Sequence, residues 1–219
     1  LSIHSFPTRR SSDLVKIVIA SGRSIQGIEK YLEELELISK DNYSVVCSGA
    51  VVVNNTKEDV IQCDQISYED FKYVFNLTKD MNINLNLYSG ENILIHSNNY
   101  FSKIDSIANN VPLHMTDFNS LKKDTLITKI MLINEDLSIV DEIQALFPNI
   151  LVKDIGIIAK KGFDKDLFED MFKLPKEFLE RFTVSKVAPF IVEVMKKNSS
   201  KRSGIEKLAQ KDRKSTRLN

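Results

Sequence analysis

The stretch Val15–Ala20 followed by Ser21, Gly22 and Arg23 constrains this chain more than any other. An almost unbroken apolar, β-branched run of six residues reads as a strand covered on both faces, as in a parallel sheet. It stops at a hydroxyl, a glycine and an arginine. Beyond them Ile25, Ile28, Tyr31, Leu32 and Leu35 recur at helical spacing, with Glu29, Lys30, Glu33, Glu34 and Glu36 between them. Ser24 is placed to cap that helix. Tyr43–Cys47 reads as the next strand, and strand–helix–strand predicts a βαβ unit with a right-handed crossover.

Such a turn sits at the carboxyl edge of a parallel strand, where open α/β sheets bind ligands. Gly22 lets backbone approach a ligand closely. Ser21 and the N–H groups at the following helix start suit an anion such as a phosphoryl group. The plainer alternative is a strand-to-helix turn with Arg23 in solvent. Cys47-Ser48-Gly49-Ala50 follows the second strand and reaches the same sheet edge. Near the other end Glu193 precedes Lys201 by eight residues, and Lys201 opens a helix start containing Gly204. A lysine there can offset charge on a transferring phosphoryl group; its plainer role is a solvated flanking lysine.

The rest of the chain mixes helices with antiparallel strands. Ala50–Val53 and Val60–Cys63 read as a hairpin around Asn54-Asn55. Ser67 with Asp70 forms a capping box ahead of Tyr68, Phe71, Val74, Phe75 and Thr78. Asn84–Tyr88 and Asn92–His96 alternate around a Ser89-Gly90 turn. A helix is predicted over Phe101–Ala108, a strand over Thr128–Ile133, and a helix over Leu137–Phe147 ended by Pro148. Ile150–Ala159 reads as β-like, and Lys165–Phe172 and Lys176–Phe182 as helical. Thr183–Val187 and Phe190–Met195 read as paired strands around Pro189. Ser203–Gln210 begins a last helix. The pattern predicts an α+β unit set into an α/β one.

Composition removes several classes. Hydrophobic residues make up 42% and charged residues 27%, ordinary values for a globular protein that buries a core without disulfides. No apolar run is long enough to cross a bilayer. Cys47 and Cys63 lack metal-ligand spacing and read as small buried residues of a reducing cytoplasm. His4–Leu14 and Asp212–Asn219 read as translated sequencing-library adapters, so residues 1–14 and 212–219 are set apart as scars. Taking Arg9, Arg10, Arg213, Lys214, Arg217, Asp13 and Asp212 from 30 basic and 30 acidic residues leaves 25 against 28. That balance argues against a nucleic-acid partner. His96 and His114 are too scattered for a metal site or a nucleophile–histidine–acid triad. No Gly-x-Gly-x-x-Gly or Walker loop occurs. Phe71, Phe75, Phe168 and Phe172 read as core, and Asp136, Asp141 and Glu142 as a solvated helix face.

The order strand–Ser21-Gly22-Arg23–helix, strand–Ser48-Gly49-Ala50, a long insertion ending in APFIVEV, then Lys201 and Gly204-Ile205 resembles the Cof-type sugar phosphatases of the haloacid dehalogenase superfamily. The resemblance covers nearly all of Val15–Lys211. It implies an α/β fold: a Rossmann-like core, incomplete here, over 15–66 and 198–211, with an inserted α/β cap over 67–197. It implies Mg²⁺-dependent hydrolysis of small phosphorylated metabolites, sugar phosphates above all, through an aspartyl-phosphate. Ser21 matches the phosphoryl-binding hydroxyl, completed by Gly22 and Arg23. Lys201 matches the lysine that orients the nucleophile. Ser48, with Gly49, stands where the family has asparagine in Asn-Gly-Ala, and Arg202 where glycine is usual. The stretch near 148–174 reads as an enlarged cap. The family's Asp-x-Asp-Gly-Thr strand and Gly-Asp-x-x-Asn-Asp loop do not occur in these residues. The expectation is therefore a chain inactive by itself, with a phosphatase parent. The alternatives are a non-catalytic α/β ligand- or partner-binding module and a phosphotransferase using an acceptor other than water.

Overall fold

The computed structural model describes residues 16–81, 83–134, 174–188 and 191–216. The elements expected over Leu137–Phe147, Ile150–Ala159 and Lys165–Phe172 lie outside these residues. So do Val15, Asp136, Asp141, Glu142, Phe168 and Phe172.

Two sheets organise the described residues. The first has four strands in the order β1-β2-β3-β4: β1 Ile19–Ala20, β2 Tyr43–Val46, β3 Val51–Asn54 and β4 Val60–Cys63. β1 and β2 run parallel, as a βαβ unit requires, and the rest is antiparallel. The connection between β1 and β2 is a 3₁₀ turn, Gln26–Ile28, running into α1, Glu29–Glu34. Ile28, Leu32 and Leu37 from this connection pack with Val46, Cys47, Ala50 and Val53 in a small core.

The second sheet has six strands in the order β7-β6-β5-β8-β10-β9. These are β5 Ile83–Ser89, β6 Asn92–Ile95, β7 Leu113–Met115, β8 Lys129–Asn134, β9 Phe182–Ala188 and β10 Ile191–Lys196. Helices α2 (Tyr68–Thr78), α3 (Tyr100–Asn109) and α4 (Lys176–Arg181) accompany it. Ser67 caps α2 by accepting the Asp70 N–H, as the capping box predicts. Gly90 turns the β5–β6 hairpin with φ +58°. The chain then returns to the first sheet through α5, Lys201–Thr216. Sequence order thus sets the six-stranded unit inside an α/β core, the architecture the strand pattern predicts.

Strand β5 explains how the second sheet meets the first. Its sequence alternates Ile83, Leu85, Leu87 with Asn84, Asn86, Tyr88, and a strand sends these to opposite faces. Leu85 and Leu87 join Ile130, Leu132, Val192 and Val194 over α2 and α4, with Phe71, Phe118 and Phe178 filling the main core. Asn86, Tyr88, Lys129 and Glu193 take the other face. Lys129 lies opposite Tyr88, and Glu193 opposite Met131, two residues along, so the side chains are neighbours.

Several expectations need correction. β1 is two residues long, pairing with β2 at Ile19 and Ala20, rather than a strand over Val15–Ala20. Ile25, not Ser24, bounds the first turn, and the Ser24 hydroxyl only reaches the Gly27 N–H at 3.4 Å. The second strand ends at Val46, because Cys47 and Ser48 adopt φ +50° and +57°. Cys63 is exposed, since β4 is the sheet's edge strand; Cys47 is buried. The last helix begins at Lys201 and continues past Lys211 to Thr216, into residues read as an adapter.

Candidate phosphoryl site

Ser21 leaves β1 with its backbone held on both sides. Its N–H donates to the Val45 carbonyl at 2.8 Å, and its carbonyl accepts from the Ser48 N–H at 3.1 Å. The Arg23 carbonyl accepts from the Cys47 N–H at 2.8 Å. These bonds fasten the 21–23 loop to the Cys47–Gly49 turn. Within the loop the Arg23 N–H donates to Ser21 Oγ at 3.1 Å. A hydroxyl has one proton and two lone pairs. With one lone pair occupied, the Ser21 proton remains to be donated outward.

The Cys47–Gly49 turn also carries the start of α5. Gly49 has φ +103°, and a Cβ there would lie 2.0 Å from the Ser200 carbonyl carbon and 2.5 Å from the Lys201 nitrogen. Gly204 lies against Val45 and Val52 in the same way. Ser200 and Ser203 close the helix start reciprocally. The Ser203 N–H donates to Ser200 Oγ at 3.0 Å, and the Ser200 N–H to Ser203 Oγ at 2.9 Å. Lys201, the first residue of α5, is exposed, and among the described residues its ammonium has no hydrogen-bond or ion-pair partner.

The polar face of the second sheet closes over this loop. Lys129 and Glu193 are 2% and 7% exposed and form an ion pair at 2.7 Å. The Lys129 ammonium also donates to the Gly22 carbonyl at 3.0 Å and stands over the Tyr88 ring, 4.1 Å from its centroid. The other Glu193 oxygen accepts the Ser48 hydroxyl at 2.6 Å. Burial alone would lower the lysine's proton affinity, but the carboxylates of Glu193 and Asp105 outweigh it and hold the pKa above the usual lysine value. Asp105 is raised by burial while accepting from Tyr88, Asn86 and Asn109. Burial, reinforced by Asp105, pushes the Tyr88 hydroxyl well up, so it stays a donor. Arg23 turns its guanidinium to the Ala108 carbonyl, near the C-terminus of α3, where a cation complements the helix dipole.

Of the residues singled out in the sequence, Ser21, Gly22, Arg23, Ser48 and Gly49 meet here, and the Lys201 backbone abuts Gly49. The Ser48 proton is directed at Glu193, and one guanidinium nitrogen of Arg23 at Ala108. Lys129 was not singled out, and Glu193 only for its spacing to Lys201. Their signal was a lone charge in an otherwise apolar buried strand, which requires a partner. Among the described residues no three His, Cys, Asp or Glu side chains gather as a metal site would require. No described helix is long and apolar enough to cross a membrane.

Known proteins resemble this chain in sequence and in fold. The profile of haloacid dehalogenase-like hydrolases matches residues 9–217. A Bacillus subtilis protein, YxeH, whose name gives phosphatase as a provisional activity, is 26% identical over 198 residues, 90% of this chain and 63% of its own length. A Streptococcus pyogenes protein named in the same way is 25% identical, again over 63% of its length. The chain thus spans just under two thirds of these relatives. Among solved structures, a haloacid dehalogenase-like hydrolase from Bacteroides thetaiotaomicron has TM-score 0.63 at 14% identity, covering 93% of this chain and 66% of that one. The sugar phosphatase BT4131, of haloacid dehalogenase subclass IIB, has TM-score 0.57 at 17% identity, covering 91% and 63%. With a profile match along nearly its whole length and an α/β core interrupted by a second sheet, the chain belongs to the family of haloacid dehalogenase-like hydrolases.

Proposed function

We propose that the chain forms the phosphoryl-binding and capping part of a cytoplasmic phosphatase of the Cof type, acting on small phosphorylated metabolites, with sugar phosphates as the class. One observation carries the reading. The free proton of Ser21 and the unpaired ammonium of Lys201 belong to two segments braced by the same Cys47–Gly49 turn. In this reading Ser21 donates to a phosphoryl oxygen, Lys201 offsets its charge, and Gly22 permits close approach. Residues 67–197 act as the cap that encloses the substrate and excludes water. The name of BT4131 supports the sugar-phosphate class.

The nucleophilic carboxylate and the Mg²⁺ ligands stand apart from this part. Neither aspartate motif occurs in the sequence, and among the described residues no three His, Cys, Asp or Glu side chains gather. Among the described residues β1 pairs only with β2, so its other edge offers a place for a further strand.

The test is binding and turnover on the 219-residue chain. Orthophosphate should bind, and Ser21→Ala or Lys201→Ala should weaken it about tenfold or more, the range for a lost hydrogen bond to a charged group. With Mg²⁺ and p-nitrophenyl phosphate the chain should show no turnover above Ser21→Ala. Equal orthophosphate affinity in all three proteins would refute the phosphoryl site. Turnover above the Ser21→Ala control would refute the assignment of the nucleophile elsewhere.

A further inference from the structure

We propose that Lys129, held by Glu193, is a positioning residue for the phosphoryl site: it fixes the Gly22–Arg23 peptide so that Ser21 keeps its hydroxyl proton for the ligand. This rests on the reading of Ser21 as a phosphoryl ligand. The chain has no cis peptide bond among its described residues. In a planar trans peptide the carbonyl and the N–H point in opposite directions. The Gly22 carbonyl accepts from Lys129 at 3.0 Å. The N–H of that same peptide, on Arg23, donates to Ser21 Oγ at 3.1 Å. The two contacts therefore fix one peptide plane from both sides, and the charged donor polarises the peptide toward a stronger N–H.

The clamp answers a freedom the loop brings with it. Glycine rotates readily into conformations closed to other residues, so a peptide following Gly22 can turn over. A flipped peptide would aim its carbonyl at Ser21 Oγ, and the serine proton would be drawn inward. A larger residue would add crowding rather than the right orientation, because a Cβ at position 22 would approach Ser48 Oγ to 3.2 Å and push on a hydroxyl already bonded to Glu193. Stiffness must come from outside the loop. Lys129 supplies it, donating to Gly22 and Glu193 while its ammonium stands over the Tyr88 ring. Glu193 ties the same point to the neighbouring turn through Ser48. The loop that would bind phosphate is thereby oriented by two strands of the other sheet, from positions 107 and 145 residues along the sequence from their partners.

The test uses the full chain and the double variant Lys129→Met with Glu193→Gln, which removes the donor to Gly22 together with the carboxylate paired to it. With the urea midpoint showing it folded, orthophosphate should bind about tenfold more weakly than to wild type. The Arg23 amide should shift in the ¹H–¹⁵N spectrum and exchange faster, while the amides of Leu85, Leu87 and Leu132 stay in place. A role in stability alone would move all of these together. A folded double variant with wild-type orthophosphate affinity, or with an unmoved Arg23 amide, overturns the proposal. Where the double variant does not fold, Glu193→Gln alone should weaken orthophosphate about threefold with a smaller Arg23 shift; no shift overturns it. If wild type and Ser21→Ala bind orthophosphate equally, the phosphoryl reading fails instead, and the Arg23 amide still decides whether Lys129 sets the peptide.

Discussion

Replacing Gly49 by alanine tests whether the start of α5 rests on the Cys47–Gly49 turn. Two costs add. At φ +103° an alanine leaves the regions open to L-residues, which costs about 1–3 kcal/mol. The new Cβ would lie 2.0 Å from the Ser200 carbonyl carbon and 2.1 Å from its oxygen. Those are backbone atoms, so no rotamer change relieves the overlap. Reaching ordinary contact requires α5 to retreat by more than 1 Å, and overpacking of this kind costs about 1–3 kcal/mol. We predict a loss near 4 kcal/mol, a large share of the about 5–15 kcal/mol that holds most domains together. Two other glycines separate the terms. Gly90 has φ +58° and open space around it, so Gly90→Ala should cost only about 1 kcal/mol of backbone strain. At Gly204 the Cβ would meet the Val45 methyl at 2.6 Å; that is a side chain, and the gain in helix propensity of about 1 kcal/mol offsets part of the crowding. Urea unfolding of the four proteins gives the comparison. If Gly49→Ala costs no more than Gly90→Ala, the helix does not sit against the turn, and the shared bracing of Ser21 and Lys201 falls with it.

Other substitutions probe the second sheet. Phe71 is fully buried, edge-on to Phe118 at 5.6 Å; Phe71→Ala should cost about 3–5 kcal/mol by urea unfolding. Ser67→Ala removes the α2 cap and should cost about 1 kcal/mol in the same assay. His96 is exposed to solvent but lies against the rings of Phe75 and Phe118, and this partial desolvation lowers its pKa below the ordinary 6.5. As pH falls below 6.5 the unfolded chain takes the proton before the folded one, so this group's contribution to stability declines; above 6.5 both forms are neutral and it is flat. His96→Gln should therefore lose less stability than wild type between pH 7.5 and 5.5. An equal loss would mean that the two rings do not desolvate the imidazole.

The parts of the fold set by local chemistry were readable in the sequence. The Ser67–Asp70 box, the Ser89-Gly90 turn and the alternation Asn84–Tyr88 each appear where their patterns place them. What escaped was set by contacts distant in the chain. Cys47 and Ser48 follow Val45 and Val46 of β2 directly, yet both take positive φ because the turn must meet Ser21 on one side and Ser200 on the other. No local preference demands that of a cysteine and a serine. Ser21-Gly22-Arg23 was found because its elements are contiguous. Lys129 was passed over because its partners are Gly22 and Glu193, 107 and 64 residues away. Glu193 drew notice only for its distance from Lys201, whereas its place inside IVEVM was the better clue.

That pair also bears on why a charge is buried here at all. Desolvating two ions costs several kcal/mol each, and their attraction often does no more than offset it. An apolar pair of similar volume would hold β8 and β10 together as well or better, so stability alone gives no reason for Lys129 and Glu193. Nor does the main core need them, since Leu85, Leu87, Ile130, Leu132, Val192 and Val194 lie on the opposite face. What an apolar pair could not do is donate to the Gly22 carbonyl and accept the Ser48 hydroxyl at once. Directional bonds, unlike hydrophobic contact, fix which way a peptide and a hydroxyl point. The alternation of β5 serves the same end: its leucines build the core, and its asparagine and tyrosine, through Asp105, line the polar face on which the charge is held.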